Sequence, residues 1–154
     1  MRAFVRSHGD ELENASTRFV SLESVGRGDP RYVVSQGLAV SLPMDPQLGR
    51  LCEAIAFAGD GDERPVEAVR DGSISAAWVA RAYGYPAIAV TCREEGRTLP
   101  LHHHTPADVP ANVDPGAIER AASFVEQLVR LLDRDLARKP TPAASSSRRS
   151  RAAA

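Results

Sequence analysis

Apolar residues recur along this chain in two rhythms, and each change of rhythm predicts a change of element. Over residues 2–14, Phe4, Val5 and Leu12 stand among charged neighbours, a modest amphipathic helix. Arg18-Phe19-Val20-Ser21-Leu22-Glu23-Ser24-Val25 is rich in β-formers, is closed by Gly26, and reads as a strand. Gly28-Asp29-Pro30 is turn chemistry, and Arg31 to Ser35 reads as a second strand. The dipeptide Asp45-Pro46 then opens a helix, with Asp as the N-cap and Pro at the first helical position. Leu48, Leu51, Cys52 and Ile55 follow as one buried face, and Gly59 ends the element. Gly59-Asp60-Gly61-Asp62 lacks the regular ligand run of a calcium loop, so it reads as a solvated turn.

The second half repeats the alternation. A short strand is expected around Val66 to Val69, then a helix over Ser75–Tyr83 stopped by Gly84. Tyr85-Pro86-Ala87-Ile88-Ala89-Val90-Thr91-Cys92 is an almost unbroken apolar run, long enough for a strand buried on both faces, with Pro86 tolerated only near its start. A long loop from Arg93 to Val113 follows, in which Pro100, Pro106 and Pro110 surround three histidines; loops of this length inside a compact domain are commonly functional or disordered. Asp114-Pro115 opens the last helix. Ile118, Ala121, Ala122, Val125, Leu128, Val129, Leu132 and Leu136 trace an apolar stripe along it, Arg134, Arg138 and Lys139 suit its negative C-terminal end, and Pro140 stops it. Residues 1–139 are thus expected to form one α/β domain and residues 140–154 a disordered Pro/Ala/Ser/Arg tail.

Composition narrows the classes. The chain has 154 residues, enough for one core, and a formal net charge of −1, which favours neither nucleic acid nor an anionic membrane as partner. Arg148, Arg149 and Arg151 form a short basic cluster in the tail, more often a solvated end than a nucleic-acid contact. No stretch approaches the ~20 apolar residues that span a bilayer, and no signal peptide is apparent, so a cytoplasmic protein is expected. Cys52 and Cys92 are isolated in apolar runs and read as buried free thiols.

Candidate chemistry is sparse. In open α/β sheets ligands gather beyond the carboxyl ends of strands. Glu23 lies at such an end, and so does the loop carrying His102, His103, His104 and Asp108. Imidazole and carboxylate are donors that zinc accepts, and Asp108 is placed to orient the other ring nitrogen of His104. The plainer alternatives stand beside these. Three successive histidines diverge and usually form a solvated loop, and a carboxylate at a strand end commonly caps a turn. Ser73 and Ser75 lack the G-x-S-x-G turn of a serine nucleophile.

His103-His104-Thr105-Pro106-Ala107-Asp108, followed by Asn112-Val113-Asp114-Pro115 and an amphipathic helix, resembles the closing section of the zinc aminopeptidase and glutamate-carboxypeptidase-type exopeptidases. Gly84-Tyr85-Pro86-Ala87-Ile88 resembles that family's Gly-x-Pro-Ala-x segment, and Phe19–Gly26 its Asn-Leu-Asp-x-x-Gly strand. Residues 2–138 match in order. The resemblance implies part of a three-layer α/β/α sandwich with a mixed, mostly parallel sheet whose N-terminal strands are missing. It also implies zinc as cofactor, peptides as substrate, His104 and Glu23 as ligands of two different ions, and Thr105 and Asp108 as residues shaping the ligand loop. Three departures accompany it. Glu23 stands where Asp is usual. Ile74 replaces the acid of the family's Ser-Asp-His/Ala segment. The family's first His, bridging Asp and paired glutamates precede the strand matched by Glu23, and the 22 residues before Glu23 hold no such set. The carboxylate pair Glu94-Glu95 lies elsewhere in the chain. The resemblance therefore implies the C-terminal part of a metallo-exopeptidase, not active alone. A non-enzymatic remnant or binding module, or a subunit completed by a partner across an exposed sheet edge, are the competing expectations.

Overall fold

A computed structural model describes residues 1–58 and 66–138. The expected Gly59 stop, the Gly59–Asp62 turn, Lys139, Pro140 and the tail lie outside the described residues. The chain forms α1 (Arg2–His8), β1 (Phe19–Glu23), β2 (Asp29–Gln36), β3 (Leu42–Pro43), α2 (Pro46–Ala58), β4 (Glu67–Asp71), α3 (Ala76–Ala82), β5 (Ala87–Arg93) and α4 (Pro115–Arg138), with a 3-10 turn at Pro110–Asn112 before α4. This is a mixed α/β fold: four α-helices and a five-stranded sheet among the described residues.

Both Asp-Pro dipeptides open helices for the expected reason. Asp45 Oδ1 accepts the backbone N–H of Gln47 at 3.0 Å and of Leu48 at 3.1 Å, and Asp114 Oδ1 accepts that of Gly116 at 2.9 Å. These bonds satisfy donors that have no partner within the first helical turn. The first helix is shorter than expected and ends at His8; Leu12 packs on the core from beyond it.

β2 organises the sheet. It pairs antiparallel with β5 (Val33↔Ala89, Asp29↔Arg93) and with β3 (Gln36↔Leu42), and parallel with β4 (Arg31↔Glu67). β1 adds to the far side of β5 as a parallel neighbour, with Phe19↔Ala87 and Glu23↔Thr91 in register. Parallel and antiparallel pairings are thus mixed evenly, where a mostly parallel sheet was expected. All seven residues of β5 are buried, as the unbroken apolar run predicts, and the strand extends one residue further than read, taking in Arg93. The core gathers Val33 and Tyr32 of β2, Ile88 and Val90 of β5, Leu48, Cys52 and Ile55 of α2, Ala77 and Ala80 of α3, and Phe124, Leu128 and Leu132 of α4. Among the described residues no helix is long and apolar enough to cross a membrane.

Candidate functional site

Because β1 and β5 are adjacent and parallel, both of their carboxyl ends open at the same border of the sheet. Glu23 is the last residue of β1. Its Oε1 accepts the backbone N–H of Ala76, the first residue of α3, at 2.8 Å, and lies 3.5 Å from Ser21 Oγ. Ser75 Oγ accepts from Trp78 N at 3.1 Å, so a carboxylate and a hydroxyl together satisfy the N-terminus of α3. The capping role anticipated for a carboxylate at a strand end is therefore present, on a helix distant in sequence. One face of the sheet carries a polar row in strand register at this level: Glu23 on β1, Thr91 on β5, Arg31 on β2 and Glu67 on β4.

The segment after β5 folds as a series of tight turns. His103 N donates to Pro100 O at 3.3 Å, Thr105 N and Oγ1 donate to His102 O at 3.0 and 2.9 Å, and Asp108 N donates to Thr105 O at 3.0 Å. Asn112 Nδ2 closes the loop on Ala107 O at 2.8 Å. Thr105 thus shapes the turn through its hydroxyl. His102 and His104 both adopt left-handed backbone, with φ of 64° and 57°, and Ser24, just past β1, does so with φ of 54°. Such conformations are costly for residues other than glycine. They are the only three of this kind among the described residues.

Ser24, Gly26 and Arg27 after β1 and His102, Asp108 and Asn112 after β5 line one small cavity. The structure therefore brings the turn after Glu23 against the histidine loop. Within the loop it is His102 that shares this cavity with Asp108. His104 is exposed, its ring stacked at a tilt on that of His103 with centroids 4.0 Å apart. Among the described residues no hydrogen bond joins Asp108 to His104, and no three His, Cys, Asp or Glu side chains gather in a metal-binding group. Glu94 is held by Arg27, Nε to Oε1 2.9 Å, which ties the turn after β1 to the start of the loop. Ile74 is 51% exposed.

A buried polar network lies behind this border. Arg93 is 3% exposed; its Nη2 stands 2.9 Å from Asp71 Oδ2 at the end of β4, and its Nη1 donates to Thr98 O in the histidine loop. Ser73 N donates to Asp71 Oδ1 at 2.8 Å, and Gln36 bridges Ser73 and Ser75. Sequence reasoning missed Arg93 because a charged residue at the end of an apolar run reads as the first residue of a loop. The run from Tyr85 to Cys92 before it fixes the strand, not where the strand stops. Compared with family models, curated proteins and solved structures, the chain matches none.

Proposed function

We propose that this chain is the C-terminal part of a zinc-dependent metallo-exopeptidase of the aminopeptidase type. Glu23 and His104 are its metal ligands, Thr105 and Asp108 shape the ligand loop, and the chain alone does not hydrolyse peptides. One observation carries the reading. All three left-handed residues other than glycine among the described residues, Ser24, His102 and His104, lie in the loops that follow the adjacent parallel strands β1 and β5. Each such residue costs roughly 1–2 kcal/mol, and costs of this kind cluster where a loop is held in place for binding.

The donor types suit zinc, but their number does not. A catalytic zinc normally takes three protein ligands, no such group is assembled among the described residues, and Glu23 Oε1 is engaged by Ala76. The residues present do not complete a zinc site, and no hydrolytic step is assigned to them. In this reading the missing ligands come from another segment that extends the sheet beyond β1. Among the described strands β1 pairs only with β5, so its other edge keeps its backbone groups available for a further strand. A three-layer α/β/α arrangement agrees with two neighbouring residues of β5. Cys92 Sγ contacts Ala117 O of α4, while Thr91 is in register with Glu23, whose carboxylate reaches α3; successive strand residues point to opposite faces. Free, buried Cys52 and Cys92 suit a reducing, cytoplasmic setting.

The test combines zinc binding with hydrolysis of aminoacyl-anilides in added zinc. The chain alone is expected to show no turnover and weak zinc binding, which His104→Ala and Glu23→Gln lower by at least about tenfold. Joining it to a segment that carries the family's first His, bridging Asp and Glu pair is expected to give turnover. Two tightly held zinc ions, or turnover by the monomeric chain alone, contradict the proposal.

The bond from Ala76 N to Glu23 favours a second reading, a non-enzymatic binding module in which Glu23 is only a helix cap. Under it, Glu23→Gln lowers stability by about 1 kcal/mol and leaves zinc binding unchanged.

A further inference from the structure

α4 carries two apolar stripes. Ala117, Ala121, Phe124, Leu128 and Leu132 are buried in the core. Ile118, Ala122, Val125, Val129, Leu132 and Leu136 form the second, with steps of four and three residues in strict alternation, the spacing of a coiled-coil seam; it shares Leu132 with the core, against which Val125 also packs. Ile118 is 43% and Val129 50% exposed, Ala122 is exposed, and Val125 and Leu136 are half-buried. At 100° per residue this seam is rotated about a quarter turn from the core stripe. The neighbours of α4 lie on other sides of it: Gln47 of α2 donates to Asp135 Oδ2 at 2.6 Å, and Arg120 donates to Gly28 O at 3.1 Å. Glu119, Glu126 and Asp133 are all exposed, and each directly follows a seam residue, Ile118, Val125 and Leu132. They make a row of acids along the solvent side of the seam, the middle one, Glu126, paired with Arg130 of the next turn at 2.6 Å.

We infer that this seam is a docking surface for an amphipathic helix of another protein whose apolar face is flanked by Lys or Arg. The acid row selects the occupant, because opposite charges beside a seam set partner choice. A second copy of this chain is disfavoured by the same row. Two such seams packed antiparallel would set Glu119 against Asp133 at both ends, and like charges placed so repel, while at the centre Arg130 offsets Glu126. An anionic membrane surface is repelled likewise. The inference stands on α4 alone and does not depend on the metallo-exopeptidase reading.

Two labelled three-heptad peptides test it, both with Leu along the seam, one flanked by Lys and the other by Glu. Each is titrated with the full chain at low salt and followed by fluorescence anisotropy. The Lys-flanked peptide is expected to bind at least about tenfold more tightly than the Glu-flanked one, a gap that narrows as salt screens the rim. Val129→Glu is expected to weaken it about tenfold or more. The triple variant Glu119→Lys, Glu126→Lys, Asp133→Lys is expected to reverse the preference. All four substituted residues are solvent-accessible, and circular dichroism verifies that the variants fold. The inference is overturned if neither peptide binds the folded chain or if both bind alike. It is also overturned if the wild-type chain is a dimer that Val129→Glu converts to a monomer.

Discussion

A serine and two histidines held with positive φ bear a cost that glycine would not. Ser24→Gly and His104→Gly relieve roughly 1–2 kcal/mol of backbone strain, offset by glycine's extra freedom in the unfolded chain, roughly 0.5–1 kcal/mol. Each is expected to raise stability by about 0.5–1 kcal/mol in urea denaturation, and a fall in stability would show that the serine or histidine side chain is itself a structural contact. Gly28 has the opposite sign. Its φ is 87°, and a Cβ there would stand 2.3 Å from the carbonyl carbon of Arg93. The turn after β1 therefore passes against the end of β5 at a distance only glycine permits, and this fixes the two loops of the candidate site relative to each other.

At the level of elements, α4 separates two kinds of apolar residue that look alike in the sequence. Phe124→Ala empties a core position and is expected to cost about 3–5 kcal/mol. Val129→Ser, on the exposed seam, is expected to change stability by less than about 0.5 kcal/mol. Equal losses in thermal melts of the two variants would mean that the seam is buried against the rest of the chain. The reason periodicity blurred them is geometric. Ile118, Ala122 and Val129 recur at helical spacing as faithfully as the core residues do, so a pattern of apolar positions cannot tell which part of a wide apolar arc meets the sheet. Ala117 and Phe124, both buried, fell outside the expected stripe. Where local chemistry decides, sequence and structure agree: Asp45 and Asp114 cap their helices, and β5 is buried throughout. What stayed hidden is long-range. The Arg93–Asp71 ion pair and the bond from Ala76 N to Glu23 each join residues of different elements, and no local spacing encodes that pairing.

For the molecule as a whole, buried titratable groups set a limit on the alkaline side. Burial pushes the Cys52 thiol up to about 12 and the Cys92 thiol up to about 11, Arg120 partly offsetting the latter, and burial raises Tyr32 as well. All three are held neutral in the folded chain. The unfolded thiols lose their protons near pH 9, so from there upward the unfolded state binds fewer protons and stability falls as pH rises. The contribution is complete below about pH 9 and is lost towards pH 11–12, with a slope of up to about 1.4 kcal/mol per pH unit for each thiol. Denaturation midpoints measured from pH 7 to pH 11 are expected to decline, and Cys52→Ala is expected to flatten the decline. A midpoint that does not move across that range would contradict the burial of both thiols.

The pairing of Phe19 with Ala87 also has a consequence in time. β1 leaves the ribosome long before β5 has been made, and β5 is its only strand partner among the described residues. A nascent chain must therefore carry an apolar, unpaired strand through most of its synthesis. It closes the contact only across a long and entropically slow loop. Whatever meets that waiting strand first, β5 or the strand of another chain, decides between folding and aggregation.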